Sequence, residues 1–214
     1  MRKLSLILGL FAMALPISSA LADYTEEREV DAFTKVETDG MMDMTIDVGG
    51  EQSVSITVNK QRYLDDITTR VQNGRLIIDF DMDSNFFNLF KDIDVEVHIT
   101  IPSLEEVELD GLGDFEIHNV DAEDFRLSLD GMGSIDIDGT CENATFIING
   151  LGDLNARNFE CKTVRLVMDG MGDADIYASE FADVDIDGLG DVDIYGNPGK
   201  TKLREEGIGS IDVK

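Results

Sequence analysis

The chain has 214 residues, of which 45 are acidic and 17 are basic, so its formal net charge at pH 7 is −28. A surface this acidic repels nucleic acid and anionic lipid head groups, which excludes both as expected partners. Because 43% of the residues are hydrophobic and regularly patterned, the acidity does not indicate disorder, and we expect a folded protein.

Residues 1–22 have the features of a secretory signal peptide. Arg2 and Lys3 precede an apolar run at 4–15, and Ala20-Leu21-Ala22 has the small-x-small form of a signal peptidase site. The apolar run is too short to span a bilayer as a helix. We therefore expect cleavage after Ala22 and an exported product, periplasmic or extracellular, without a transmembrane anchor.

Strand signals dominate residues 23–100. Short segments alternate apolar and polar residues, as half-buried strands do, and turn residues such as Asn73-Gly74 separate them. Residues 39–46 resemble a degraded copy of a phrase that recurs later in the chain. We interpret 23–100 as irregular first coils that cap a solenoid; an independent N-terminal sandwich is the alternative.

The most apolar loop of the chain lies at 83–92, where Ser84 is a candidate cap for one helical turn. Two interpretations of its large side chains stay open. They cover an open end of the solenoid, or they form an exposed contact with a partner. The side chains are Phe86, Phe87, Leu89 and Phe90.

From residue 110 to 213 one short phrase built on Gly-x-Gly returns six times, and its first glycines are 20, 19, 20, 18 and 19 residues apart. A fixed period of this length is typical of a solenoid, in which each coil buries its apolar side against the next. We predict an all-β parallel β-helix with coils of about 19–20 residues and two short strands per coil. Residues 101–214 form the regular coils, in one continuous domain with 23–100.

The columns of the repeat predict which side chains are buried. Positions four and two residues before the first glycine are apolar in every coil, as at Val107 and Leu109, except for Glu205 in the last coil. Apolar residues two apart after the turn, such as Phe115 and Ile117, predict the second strand. The residue between the paired glycines is always apolar, and we expect it to fill the core at the corner: Leu112, Met132, Leu151, Met171, Leu189 and Ile208.

Cys141 lies nine residues before Gly150, and Cys161 lies nine residues before Gly170, so both occupy one column of adjacent coils. Stacked coils lie about 4.8 Å apart, which is within the Cα separation that a disulfide tolerates. An exported protein also meets an oxidising environment. We therefore predict a disulfide between Cys141 and Cys161.

The acidic residues of the repeat fall into three columns, represented in one coil by Asp110, Asp114 and Glu116. Like charges one coil apart repel by about 1 kcal/mol in water-like surroundings. Two explanations are open. The turn aspartates accept hydrogen bonds from nearby backbone N–H groups, as in Asx turns, or weak calcium binding offsets the repulsion. We predict no cofactor and no discrete metal site.

No catalytic motif is present: the chain contains no Gly-x-Ser-x-Gly, no His-Glu-x-x-His and no phosphate-binding loop. Paired carboxylates could act on polysaccharides, but here the acids are periodic and tryptophan is absent. His98 and His118, 20 residues apart, are expected to stack as exposed side chains. We therefore expect the protein not to be an enzyme.

The repeated Asp/Asn-Gly-Leu/Met-Gly-Asp/Ser phrase, preceded by the strands at 76–80 and 95–102, resembles the bacterial auto-transporter adhesin "head GIN" domain family, DUF2807, over about residues 30–214. Members usually carry serine between the glycines, where this chain has Leu, Met or Ile. The resemblance implies a right-handed parallel β-helix in the exported or envelope compartment, with an adhesion role and no catalytic residues.

Two functional interpretations follow. In the first, the protein is a non-enzymatic adhesion or binding module at the cell envelope, with a protein or glycan partner that the sequence does not identify. In the second, it is a structural or stress-related periplasmic spacer without a dedicated ligand. A calcium-binding protein similar to a β-roll and a polysaccharide-active enzyme are weaker alternatives.

Overall fold

The structure is a computed structural model that describes residues 23–80 and 93–214, and in these ranges the chain is mostly β-strand. The fourteen strands of the described ranges belong to one sheet that winds into stacked coils. The elements are β1 Tyr24–Glu27, β2 Lys35–Met41, β3 Asp43–Val48, β4 Ser53–Val58, α1 Arg62–Asp66, β5 Ile67–Gln72, β6 Arg75–Phe80, β7 Val95–Ile101, β8 Glu106–Leu112, β9 Phe115–Met132, β10 Ile135–Leu151, β11 Leu154–Met171, β12 Ala174–Tyr195, β13 Lys200–Glu205 and β14 Ile208–Val213.

Parallel pairing between successive repeats builds the stack. The strands β9, β10, β11 and β12 pair in chain order, and equivalent positions of the repeat lie side by side. Gly131 pairs with Gly150, and Gly150 pairs with Gly170. The predicted all-β solenoid with parallel coils is thereby confirmed.

The first coil comes from residues that lie far from the repeats in sequence. β2 pairs in parallel with β8, so that Asp39 lies beside Asp110 and Gly40 lies beside Gly111. β3 continues this coil and pairs in parallel with the start of β9. Residues 39–46 are therefore a true copy of the repeated phrase, and the strands β4 to β7 pack on the outer side of this coil.

Antiparallel strands close the N-terminal end of the stack. One row of strands runs β1-β4-β7-β3 and the other runs β5-β6-β2, with antiparallel pairing at β1, β4 and β5. The helix α1, which the sequence analysis did not predict, precedes β5, and its Tyr63 packs edge to face on Phe80 with ring centroids 6.0 Å apart. Arg75 of β6 forms ion pairs with Glu37 of β2 and Glu106 of β8, which attaches this cap to the first coils.

The regular coils differ from the prediction of two short strands each. β9, β10 and β11 contain 18, 17 and 18 residues, and β12 contains 22. The first three begin after one Gly-x-Gly and end at the middle residue of the next, so the two predicted strands are joined into one. A shift in register, for example between Ile137 and Gly139, marks the bend between the two halves.

The core is a set of apolar columns between the two halves of each coil. The inward positions predicted from the repeat are buried in the regular coils, including Leu127, Phe146 and Leu166. Phe159 adds edge-to-face contacts with Phe125 and Phe146, at centroid distances of 5.2 and 6.3 Å. The last coil is different, because all six residues of β13, including Glu205 in an inward column, are exposed. In 23–80 and 93–214 no helix is long and apolar enough to cross a membrane.

Candidate functional site

The middle residue of each Gly-x-Gly lies on the surface of the solenoid. The prediction that these side chains fill the core is wrong: Met132, Leu151, Met171 and Leu189 are 39% to 46% exposed, and Ile208 is 76% exposed. Parallel pairing aligns them in one row with two partly buried members from the first coils. We call this row the corner ridge: Met41, Leu112, Met132, Leu151, Met171, Leu189 and Ile208.

Strand alternation explains why the corner ridge faces outward. Buried Leu129, the two glycines of the phrase and buried Ile135 are spaced two residues apart, so they share the inward side and Met132 takes the outward side. From Gly111 onward the inward corner positions have no room for a side chain, because a Cβ atom added to Gly131, for example, would lie 1.9 Å from the carbonyl oxygen of Gly111 in the neighbouring coil. Applying the alternation through the corner would have revealed the ridge from the sequence.

Two columns of acidic residues flank the corner ridge. One lies two residues before the ridge and the other lies two residues after it, on the same outward side of the strand. Neither column contains a lysine or an arginine, so the apolar row runs between two rows of negative charge. The first column is Asp39, Asp110, Asp130, Asn149, Asp169, Asp187 and Glu206; the second column is Asp43, Asp114, Ser134, Asp153, Asp173, Asp191 and Ser210.

Carboxylates of the second column accept hydrogen bonds from the backbone of the next coil. The backbone N–H of Asp114 donates to Oδ1 of Asp43 at 2.8 Å, and that of Asp173 donates to Oδ1 of Asp153 at 2.9 Å. Backbone N–H groups are thus the donors, as in the first of the two explanations, but the bonds join successive coils instead of closing local Asx turns. Each bond offsets part of the repulsion between stacked carboxylates and holds one oxygen in place.

Burial and neighbouring charges raise the pKa of two of the acids. Burial, reinforced by the neighbouring charges of Asp39 and Asp130, raises the pKa of Asp110 in the first column. Burial and the charge of Asp193 raise the pKa of Asp175, which lies in the third column. Both carboxylates are therefore less stable when ionised than isolated ones, and a positive group brought to this surface would relieve that cost.

A metal site is not evident among these acids. In the part of the chain that the structure describes, no group of three or more His, Cys, Asp or Glu side chains is arranged to hold a metal ion. The described acids instead have backbone or side-chain partners at several positions, such as Asp136, which accepts from the side-chain amide of Asn155. Weak calcium binding stays the open alternative for these columns.

The expected disulfide is present. Cys141 of β10 and Cys161 of β11 are bonded to each other, pair directly in the parallel register, and have Cα atoms 4.5 Å apart. The bond therefore links two adjacent coils in the middle of the regular stack.

The two histidines do not stack on each other as predicted. β3 lies between β7, which carries His98, and β9, which carries His118, because the first coil separates these strands. Asp47 of β3 lies 3.4 Å from Nε2 of His98, and Nδ1 of His118 forms a 2.8 Å hydrogen bond with Asp138. That hydrogen bond is the main cause that raises the pKa of His118. The 20-residue spacing led to a wrong prediction because β3, a strand from an earlier part of the chain, lies between β7 and β9.

Charged groups near the N-terminal end form ion pairs with one another. A surface depression there is lined in part by Lys35, Glu106 and Arg126. Glu106 lies 3.2 Å from Lys35, 3.0 Å from Arg75 and 3.7 Å from Arg126, in each case between a carboxylate oxygen and a side-chain nitrogen. This carboxylate is thereby surrounded by three cations, and the ion pairs connect β2, β6, β8 and β9.

Two predicted features lie outside the described residues. The signal peptide at 1–22 is one of them. The other is the apolar loop that was predicted to form a cap or a partner contact, with Phe86, Phe87, Leu89 and Phe90.

Two solved structures are similar to this chain. A solved structure described as a "putative adhesin" from Bacteroides fragilis has a TM-score of 0.71 at 20% identity, covering 91% of this chain and 98% of that chain. A second one, also described as a "putative adhesin", from Parabacteroides distasonis, has a TM-score of 0.48 at 16% identity, covering 90% of this chain and 97% of that chain. At these identities the likeness concerns the fold alone. No curated protein matches the chain.

A family model described as "Putative auto-transporter adhesin, head GIN domain" matches residues 32–198, which is well over half of the sequence. The match agrees with the resemblance carried by the repeated Gly-x-Gly phrase. The chain belongs to this family, DUF2807.

Proposed function

We propose that the protein is an exported, non-enzymatic adhesion or binding module of the cell envelope, and that it binds through the corner ridge. The observation that carries the proposal is the exposure of one large apolar side chain in each of five successive coils of an acidic protein. Contiguous apolar groups at the surface of a soluble protein commonly mark interaction sites. The family description, an adhesin, agrees with a binding role.

The dimensions of the corner ridge suit an extended contact. Seven residues stacked at about 4.8 Å per coil give a row roughly 29 Å long. Burying a fully exposed side chain of this size stabilises a complex by about 1.5–3 kcal/mol, so a residue that is half exposed contributes roughly 1 kcal/mol. Several such residues acting together are enough for binding of moderate strength, and no deep pocket is required.

The remaining features support a binding role over catalysis. The acids repeat with the coils, whereas catalysis needs a few polar groups that converge on one reacting atom. The acids of the second column accept backbone hydrogen bonds from the next coil, as Asp43 and Asp153 do. A disulfide is typical of exported proteins, which agrees with the predicted signal peptide.

Adhesion of protein-coated beads tests this proposal. Beads carrying the full processed chain are applied to a panel of bacterial cells, matrix proteins and glycans, and retained beads are counted under flow. The matched variants are the ridge triple variant Met132→Ser/Met171→Ser/Leu189→Ser and the control triple variant Glu123→Ser/Glu160→Ser/Glu180→Ser, whose exposed residues lie off the ridge.

We expect retention on at least one surface by the unmodified protein and by the control triple variant, and loss of that retention by the ridge triple variant. A rigid spacer without a ligand predicts no retention by any of the proteins. Equal retention by all three proteins would show that adhesion does not use the corner ridge.

A further inference from the structure

The corner ridge has a charge pattern that restricts what can bind it. The first column carries six carboxylates and the second carries five, with Asn149, Ser134 and Ser210 as the uncharged members. A ligand that covers the apolar row must therefore place its own edges over two rows of negative charge. Anionic lipid surfaces and nucleic acids are repelled there, and a second copy of the chain would bring acids against acids.

The spacing of the corner ridge further restricts the ligand. Ridge side chains repeat about every 4.8 Å along the stack, while side chains on one face of an α-helix repeat roughly every 5.4 Å, the rise of one turn. Over six steps the difference accumulates to only about 4 Å, less than the length of one flexible methionine or leucine side chain. An extended strand laid along the ridge repeats its side chains at roughly 6.7 Å and loses register within two or three coils.

The width of the surface also suits a helix. The two acidic columns lie two residues to either side of the ridge, so a fully extended chain would place them at most roughly 13 Å apart. A helix with its side chains is about 10–12 Å across, so basic residues flanking an apolar stripe reach both columns. Carboxylates of the second column are already oriented, because one oxygen of Asp43, of Asp153 and of Asp173 accepts a backbone N–H.

We propose that the corner ridge binds a cationic amphipathic helix of about five turns, whose apolar stripe covers the ridge and whose lysine or arginine residues pair with the two acidic columns. This inference rests on the proposed function, for which it supplies the chemical class of the partner. The partner segment is a peptide or part of a protein, not a membrane. Its binding combines apolar burial at the ridge with ion pairs at the columns, so it weakens when salt is added.

A titration with designed peptides tests the proposal. The probe is an 18-residue helix of leucine and lysine, with leucine on one face. The comparison peptides are a glutamate version with the same leucine positions and a scrambled leucine-lysine peptide that has the same charge and no apolar face. Binding of each labelled peptide to the full chain is measured by fluorescence anisotropy at low and high salt.

We expect the leucine-lysine helix to bind at least tenfold more tightly than the scrambled peptide, and the glutamate version not to bind. The ridge triple variant should lose at least tenfold in affinity, and Asp130→Asn/Asp169→Asn/Asp187→Asn should lower both the affinity and its salt dependence. The control triple variant should bind as the unmodified protein does. If the ridge triple variant does not fold, the single variant Met171→Ser replaces it, with a loss of at least twofold expected.

Several results would overturn the proposal. Equal binding of the helical and scrambled peptides would reduce the interaction to nonspecific attraction between a polycation and an acidic protein. Unchanged affinity in the ridge variants would place the site elsewhere. Binding of anionic vesicles in preference to the peptide would identify a lipid surface as the ligand. Bead adhesion that depends on the ridge, together with no binding of the peptide, would leave the adhesion function intact and refute only the helical cationic partner.

Discussion

Close packing of glycines at the corner predicts a specific stability loss in Gly188→Ala. A Cβ atom added at Gly188 would lie 1.9 Å from the carbonyl oxygen of Gly170, whereas real Cβ contacts essentially never fall below 3.0 Å. The two coils must therefore separate locally by at least 1.1 Å, the difference between these two distances. Backbone strain adds nothing, because φ of Gly188 lies outside the left-handed region.

The hydrogen bonds between the two coils determine how much stability Gly188→Ala loses. The backbone N–H of Gly172 donates to the carbonyl oxygen of Leu189 at 3.0 Å, and a separation of 1.1 Å would lengthen this bond beyond hydrogen-bonding distance. Loss of two or three such bonds at about 0.5–1.5 kcal/mol each lowers the free energy of unfolding by roughly 3 kcal/mol. In a domain of this size that corresponds to a fall of about 6–12 °C in the midpoint of thermal unfolding.

Gly199→Ala is the matched control. Its added Cβ atom would meet only the carbonyl oxygen of Glu180, at an ordinary contact distance of 3.8 Å. We expect this variant to unfold within about 2 °C of the unmodified protein or slightly above it. The assay is far-UV circular dichroism on heating, with intact disulfides in all samples. Equal midpoints for Gly188→Ala and Gly199→Ala would refute the close coil packing from which the outward corner ridge follows.

Three further predictions concern charge. Asp110→Asn should raise the thermal midpoint at pH 7, and this gain should vanish near pH 3. The reason is that a raised carboxyl pKa makes the folded state lose stability as pH rises through the acidic range. The surface variant Glu123→Gln should show no such gain. His118→Gln should lower the thermal midpoint at pH 6 and have little effect at pH 9. The pKa of His118 is raised, so its ring stabilises the fold only while it is protonated. A loss of equal size at both pH values would contradict this. Calcium at millimolar concentration should raise the midpoint no more than a salt of matched ionic strength, because carboxylates of the second column already accept backbone hydrogen bonds from the next coil. A larger shift would support the alternative of weak calcium binding.

The sequence predicted the regular part of the fold because each coil repeats the same local rules. Alternating apolar positions such as Leu127 and Leu129 identified the inward side of each strand, and both are buried. The spacing of Cys141 and Cys161 relative to the glycines identified a pair of residues that a disulfide joins. These predictions needed only the period of the repeat and the alternation of apolar and polar residues, both of which can be read from short stretches of the sequence.

The features that escaped prediction depend on contacts between distant parts of the chain. β2 pairs with β8 over a separation of 71 residues, as Gly40 beside Gly111 shows, and the degraded phrase at 39–46 indicates a coil without identifying the strand that pairs with it. The strand β3, which follows β2 in the same coil, places Asp47 between the two strands that carry the histidines. The corner ridge was missed for another reason: the glycines were assigned to the turn, although they keep the inward side of the alternation that joins buried Leu129 to buried Ile135.

Oxidation of individual methionines in the folded protein tests most directly whether the corner ridge is exposed. Met132 and Met171 of the ridge are 45% and 46% exposed, whereas Met168, three residues before Met171 on the same strand, is 4% exposed. After brief treatment with hydrogen peroxide under native conditions, mass spectrometry gives the rate at each residue. We predict that Met132 and Met171 oxidise at least about tenfold faster than Met168. Oxidation of Met168 at the rate of Met171 would contradict the outward orientation on which the proposed binding surface depends.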